Sequence, residues 1–168
     1  MKKILALLLA MLMLLAMAGC GNKSDEDTTP KEAVPDLFIY DADGNMHRLS
    51  HFQGKPVVLY FWASYVPCQA EMSGLQKAYE KYGDQIHFII LNITDGEKET
   101  VESATKFVQD LGHTFPVYFD TAYTVAMMYG LKSLPTTCFI DENGYVVAQA
   151  TGMIGASQLQ EGIDMLLS

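Results

Sequence analysis

Cysteine is scarce in this chain: Cys20, Cys68 and Cys138 are the only three in 168 residues. No disulfide framework of the kind that holds small secreted domains together can be built from so few. With Cys20 set aside for the reason given below, two thiols remain, compatible with one Cys68–Cys138 disulfide or with two free groups. Basic residues are scarce as well. Eleven Lys and Arg stand against twenty Asp and Glu, the formal charge is −9, and Arg48 is the only arginine. That balance excludes a phosphate-neutralising nucleic-acid surface and a basic patch docking on anionic lipid. The four histidines, His47, His51, His87 and His113, show no metal-ligand spacing. A copper site of the Cys-x-x-x-Cys type would need a second cysteine near Cys68, so neither metal nor cofactor is expected. No internal repeat is present. No apolar run spans a bilayer comfortably, since the longest, Ile4 to Ala18, falls short of the roughly 20 residues required.

That short run has a meaning of its own. Lys2 and Lys3 precede it and Gly19-Cys20 closes it, giving a positive start, a short apolar core and a small-residue cleavage site. The pattern predicts a secretory signal peptide over residues 1–19. Met17-Ala18-Gly19-Cys20 also resembles the bacterial lipobox, where cleavage precedes a cysteine that takes the lipid. The resemblance implies a lipidated Cys20 and a protein held at the extracytoplasmic face of a bacterial cell membrane. The stretch that follows is polar, charged and apolar-poor, with Pro30 and Pro35, and reads as a flexible tether, giving lipidated cysteine and tether over residues 20–34. Cleavage would leave nine Lys/Arg against twenty Asp/Glu, about −11. Membrane contact would then come from the lipid, whose two or more acyl chains hold stably where one would not.

Residues 35–168 read as one domain. Leu37–Tyr40 and Met46–Leu49 flank an Asp-Gly turn and predict a hairpin. Val57–Phe61 is an unbroken apolar run rich in β-branched and aromatic side chains, as in a strand buried on both faces. Cys68 to Tyr82 carries Met72, Leu75, Ala78, Tyr79 and Tyr82 at helical spacing, with Gly83 as a stop. A second buried strand is predicted over Ile86–Ile93, a helix from about Lys98 to Leu111, a strand over Phe115–Phe119 and a short helix over Thr121–Tyr129. Strands follow at Thr136–Asp141 and Tyr145–Ala150, and Ser157 is expected to cap a last helix running to Leu167. Strands alternating with helices, plus a terminal hairpin, predict an α/β domain of three layers.

Val57 to Met72 organises the rest. A buried strand bends through Trp62-Ala63-Ser64 into a helix near Pro67-Cys68, where proline costs nothing because its missing N–H would have had no partner. A cysteine at a helix N-terminus is expected to be biased toward thiolate, the reactive form; the plainer reading is a small buried hydrophobe. Phe61, Trp62, Ala63, Ser64, Pro67, Cys68 and Glu71 resemble the active-site stretch of thioredoxin-fold proteins of the TlpA/ResA type among the AhpC/TSA redoxins, Phe-Trp-Ala-Ser-Trp-Cys-x-Pro-Cys-x-x-Glu. One residue is missing here. Either Tyr65 replaces the second Trp and the first cysteine is deleted, or the Trp is deleted and Tyr65 stands in the place of that cysteine. Tyr for Trp conserves an aromatic and lets Val66-Pro67-Cys68 fit x-Pro-Cys, which favours the first. Either way the attacking cysteine is absent.

The resemblance implies a thioredoxin-like three-layer α/β/α sandwich with an N-terminal β-hairpin and a strand–helix insertion in mid-core. It also implies a cis Leu134–Pro135 bond, since Gly130 to Thr137 fits the family's Gly-x-x-x-x-Pro-Thr-Thr, with the backbone of Leu134 offered to an extended peptide. The alternative is an ordinary trans proline opening an edge strand. Glu71, one turn beyond Cys68, would tune the thiol or accept a proton; an acid there is equally a plain partner for the helix dipole. Trp62, Tyr65 and Pro67 would flank the site, although Trp62 and Tyr65 suit the core equally well. Cys138 reads as core.

Dithiol exchange needs one sulfur to attack and a second to release product. Cys68 holds the second, more buried place. The first expected function is therefore that of a membrane-anchored thiol–disulfide oxidoreductase-like protein in redox homeostasis, with weak or altered activity. Its partners would be protein thiols or disulfides and a membrane thiol-reducing protein, and the chain is expected as a monomer. The second is a catalytically silent module that binds peptides or a redox partner. The third is a one-cysteine peroxidase, because Cys68-Gln69-Ala70-Glu71 also resembles the peroxiredoxin Cys-x-x-Glu. Against the third, Tyr65 stands where Thr or Ser is needed and Arg48 lies in the hairpin, away from the thiol.

Overall fold

The computed structural model describes residues 33–168. The expected leader at 1–19, the lipid-bearing Cys20 and nearly all of the tether lie outside the described residues. The hairpin forms as expected, from β1 (Phe38–Tyr40) and β2 (Met46–Arg48). A 3-10 turn at Leu49–Phe52 then leads to β3, Val57–Trp62, whose six residues are all buried. An unbroken apolar run implies burial on both faces, and β3 has it. It pairs in parallel with β4 (His87–Ile93) on one side and antiparallel with β6 (Thr136–Ile140) on the other. With β5 (Val117–Asp120) and β7 (Val146–Thr151) the sheet has seven strands in the order β2-β1-β5-β4-β3-β6-β7.

Alternation along β3 divides the core. Val58, Tyr60 and Trp62 face the layer made by α1 (Val66–Tyr82), α2 (Val101–Asp110) and α4 (Ala156–Leu166), meeting Met72, Leu75, Ala104, Val108 and Ile163. Val57, Leu59 and Phe61 face the opposite layer, where α3 (Thr124–Met128) contributes Val125 and Ala126 and the hairpin contributes Leu37, Ile39 and Leu49. This is the thioredoxin-like α/β sandwich that the motif order implied, with β4–α2–β5 containing the inserted strand and helix. α4 packs so close to β6 that a Cβ on Gly162 would collide with the ring of Phe139.

Several boundaries differ from the periodicity reading, each for a local reason. α1 begins at Val66, two residues early, with Pro67 in its first turn. α2 begins at Val101 rather than Lys98. The Asp95 carboxylate accepts the N–H groups of Glu97, Lys98 and Glu99 and holds them in a turn, and Thr100 and Ser103 then form a reciprocal cap. α3 begins at Thr124 rather than Thr121. Asp120, buried, takes the N–H groups of Thr124 and Ala126, while Tyr123 sits at φ +55° as the N-cap. The last helix is capped by Gly155, whose N–H donates to the Gln158 side chain; Ser157 bonds Glu161 instead.

Candidate functional site

The site is built where β3 runs out. After Trp62 the chain bends, and Tyr65, extended at φ −128° and ψ 163°, becomes the N-cap of α1. The carbonyl of Tyr65 accepts the N–H of Cys68 at 3.1 Å, closing the first turn. The bend is held from outside: both the N–H and the hydroxyl of Ser64 donate to Oε1 of Glu99 at 2.9 Å, and the buried Asn92 side chain donates to the same oxygen. Glu99 lies in the loop before α2, the loop that Asp95 winds. No motif marked Glu99; the one signal was Asn92, a polar residue that interrupts the apolar run Phe88–Ile93 of β4.

Cys68 stands in the first turn of α1 with no exposed surface. Burial pushes its thiol up, and the Ala63 N–H and the Tyr65 and Tyr60 hydroxyls, which act in the opposite direction, do not reverse this. The direction is opposite to the bias toward thiolate expected of a helix N-terminus, because desolvation disfavours the charged form. Beneath the thiol, the fully buried Tyr60 hydroxyl lies 3.1 Å from the carbonyl oxygen of Cys68 and 3.2 Å from Oε2 of Glu71. The Ile154 N–H donates to Oε1 of Glu71 at 2.9 Å, tying α1 to the loop before α4. Burial raises the Glu71 carboxyl above the ordinary range. Glu71 also lines a cleft of about 390 Å³ between α1 and that loop, with Leu75, Ile154 and Leu159.

The Leu134–Pro135 peptide bond is cis. Leu134 is half-buried and Pro135 buried, and the hydroxyl of Tyr65 donates to the carbonyl of Leu134 at 3.0 Å. A second cleft, of about 240 Å³, continues from Leu134 along Ile93, Tyr123, Met127 and Leu131. Pro67 is exposed and Tyr65 is 44 % exposed, so both belong to the rim. Trp62 does not. It has no exposed surface and stacks on Phe107 at 5.9 Å, which makes it the floor of the site and part of the core. The structure thus gathers Cys68, Glu71, Tyr65, Pro67 and Leu134-Pro135 at one end of the sheet, with Trp62 beneath them.

Cys138 lies on the other face of the sheet, beside Leu59 and Val125, and burial pushes its thiol up to about 12. Both thiols are free, and the sheet between them excludes the Cys68–Cys138 disulfide in this fold. Arg48 is in the edge strand β2, bonded to Asp36 and lying over Phe38, four strands from β3. No arginine therefore faces the thiol, as a peroxidase would require. Among the described residues no three His, Cys, Asp or Glu side chains gather into a metal cluster, and no helix is long and apolar enough to cross a membrane.

Residues 30–149 match the model of the AhpC/TSA family. The thiol-disulfide oxidoreductase ResA of Geobacillus thermodenitrificans is 33% identical over 135 residues, which cover 79% of this chain and 75% of that protein. Among solved structures, a DsbF homologue from Corynebacterium diphtheriae superposes with a TM-score of 0.71 at 27% identity, covering 83% of this chain and 90% of the other. The exposed lipoprotein thioredoxin of Streptococcus pneumoniae superposes at 0.68 and 27% identity, covering 79% and 100%.

Proposed function

Because the chain belongs to the AhpC/TSA family and is a thiol–disulfide oxidoreductase-like protein of thioredoxin fold, we propose that it acts on protein thiols or disulfides at the extracytoplasmic membrane surface, through one slow thiol. The observation that carries this reading is the placement of Cys68: in the first turn of α1, bonded through its N–H to the Tyr65 whose hydroxyl reaches the Leu134 carbonyl, yet fully buried. The relatives supply the substrate class, since one is a thiol-disulfide oxidoreductase and another an exposed lipoprotein thioredoxin. The Ala18-Gly19-Cys20 sequence supports the anchor.

With one sulfur the chemistry stops halfway. The Cys68 thiolate attacks one sulfur of a partner disulfide, a mixed disulfide forms, and the second partner sulfur leaves as thiolate. Among the described residues no second thiol neighbours Cys68 to displace the bound partner. Two external sulfurs, such as the dithiol of a membrane thiol-reducing protein, must complete turnover. The first attacks the Cys68 sulfur and releases the partner as thiolate, and the second displaces Cys68, leaving the external pair oxidised to a disulfide. A raised thiol pKa slows the first step by lowering the fraction ionised at neutral pH.

The burial of Cys68 also favours a second reading, a module that binds an extended peptide along Leu134 without turning it over. One experiment separates the two. The natural chain and Cys68→Ser are incubated with a disulfide-bearing protein such as insulin, with and without an added monothiol. Thiol-dependent reduction lost in Cys68→Ser supports the exchange reading. Equal, negligible reduction by both proteins ends it and leaves the binding module.

A further inference from the structure

Tyr65 does two things at once. Its hydroxyl donates at 3.0 Å to the carbonyl of Leu134, 69 residues away in sequence, and its phenol interacts with the Cys68 thiol. The backbone of Tyr65 is fixed, because its carbonyl accepts the N–H groups of Cys68 and Gln69. The side chain, by contrast, is exposed, and its hydroxyl bonds Leu134. Around it, Pro67, Gln69 and Ala70 are exposed, while Cys68, in the same turn, has no accessible surface. Leu134 lines the 240 Å³ apolar cleft, and its carbonyl, the acceptor open to a main chain laid along that cleft, is already occupied by this chain's own phenol.

We infer that Tyr65 is a latch that couples exposure of Cys68 to occupancy of the Leu134 groove by an extended polypeptide. The inference rests on the reading of Cys68 and Leu134 as the working site, and it concerns regulation of that site. A peptide laid along the groove offers a backbone N–H to the Leu134 carbonyl. That donor replaces the Tyr65 hydroxyl, so the hydrogen bond lost on opening is regained on binding. The released ring swings away and uncovers the sulfur. Peptide binding and thiol exposure are then one event, whereas a small soluble disulfide lacking a main chain does not open the latch and reacts only in the fraction of time that the ring is released on its own. The phenol is suited to this task because it carries one donor on a rigid ring, long enough to reach across the groove from the helix N-terminus.

The test uses the sheet itself as a control, since Cys68 and Cys138 lie on opposite faces. The natural chain, Tyr65→Phe and Tyr65→Ala are treated with dithiobis(nitrobenzoate), each protein sulfur displacing one thionitrobenzoate. Peptide mapping then assigns the rate to each cysteine. Tyr65→Phe keeps the ring and removes the hydroxyl, which both bonds Leu134 and lowers the pKa of the Cys68 thiol, so rates are fitted across pH and compared for the thiolate form. Labelling of that form should rise between about two- and tenfold, the range set by one ordinary hydrogen bond. Tyr65→Ala should raise it further, and Cys138 should not change in either. An unchanged Cys68 rate in Tyr65→Phe overturns the latch, and so does a rise shared equally by Cys138, which would mean general loosening. Should Tyr65→Ala fail to fold, Tyr65→Phe still decides. Labelling does not depend on turnover, so failure of the insulin assay and failure of the latch are separate results.

Discussion

Tyr60 Oη lies 3.2 Å from Oε2 of Glu71, and the same hydroxyl reaches the carbonyl oxygen of Cys68 at 3.1 Å. A phenol has one hydrogen to give. With Glu71 ionised, that hydrogen is divided between two acceptors. With Glu71 protonated, its carboxyl donates to Tyr60, Tyr60 donates to Cys68, and the other oxygen of Glu71 keeps the Ile154 N–H. Burial of the carboxyl works in the same direction and holds its pKa above the ordinary value.

The first prediction concerns pH. The folded state holds the Glu71 proton more tightly than the unfolded chain does. The stability this contributes is complete below the ordinary glutamate value of about 4.3 and is lost as pH rises through the raised folded value. Glutamine reproduces the protonated pattern, accepting from Ile154 and donating to Tyr60, and cannot titrate. Melting temperatures measured from pH 4 to 8 should therefore diverge, with Glu71→Gln gaining on the natural protein as pH rises. Parallel curves would show that the carboxyl ionises freely in the fold.

The second concerns Glu99. One of its oxygens accepts from the Ser64 N–H, the Ser64 hydroxyl and the Asn92 amide, which fixes the bend that leads from β3 into α1. Truncation strands a buried amide and loosens the bend. Glu99→Ala should lower stability by about 1–3 kcal/mol in chemical denaturation. Its effect should also reach the site, with Cys68 alkylated faster than in the natural chain at matched fraction folded. Loss of stability with no change at Cys68 would mean that the loop supports the fold but not the thiol.

What the sequence revealed and what it hid follow from the range of each interaction. Val57–Phe61 was legible because double-sided burial needs only a continuous apolar run, and α1 because its apolar residues recur at helical spacing. The starts of α2 and α3 were misread because single carboxylates, Asp95 and Asp120, capture the N–H groups that periodicity had assigned to a helix. At the site, Pro67, Cys68 and Leu134-Pro135 were found by motif. The contacts Tyr65–Leu134, Glu71–Ile154 and Ser64–Glu99 were not, because they join residues 69, 83 and 35 positions apart and exist only once the sheet has formed. The thiol bias was misjudged for a related reason. A helix N-terminus is visible in sequence, whereas the desolvation that pushes the thiol up is a property of the packed fold.

The third prediction is lipidation at Cys20, motivated by Lys2, Lys3 and Ala18-Gly19-Cys20. Mass spectrometry of the mature N-terminus should find Cys20 first in the chain and carrying acyl groups. Cys20→Ala should leave the membrane fraction for the soluble one, since the acidic domain offers no basic patch to retain it. An unmodified Cys20, or cleavage at another position, ends the proposal of an anchor.

The last prediction concerns the missing sulfur. In the fold, Tyr65 ends the bend and Val66 begins α1, so a residue added between them enters the junction and leaves Pro67, Cys68 and Glu71 in their helical places. Inserting one cysteine there gives Trp-Ala-Ser-Tyr-Cys-Val-Pro-Cys. The new sulfur would stand at the positive end of the helix, on the exposed rim rather than in the core. Its pKa should then fall below the free value of about 8.5, because the dipole acts without the desolvation that suppresses Cys68. Cys68, one turn inward, could attack the mixed disulfide and release product, closing a cycle in which two thiols become one intramolecular disulfide and the substrate disulfide is reduced. The insertion variant should reduce insulin with dithiothreitol as electron source, well above the natural chain, and adding Cys68→Ser should abolish the gain by trapping the mixed disulfide. Equal rates for the natural chain and the variant would mean that a monothiol cycle at Cys68, resolved from outside, already suffices.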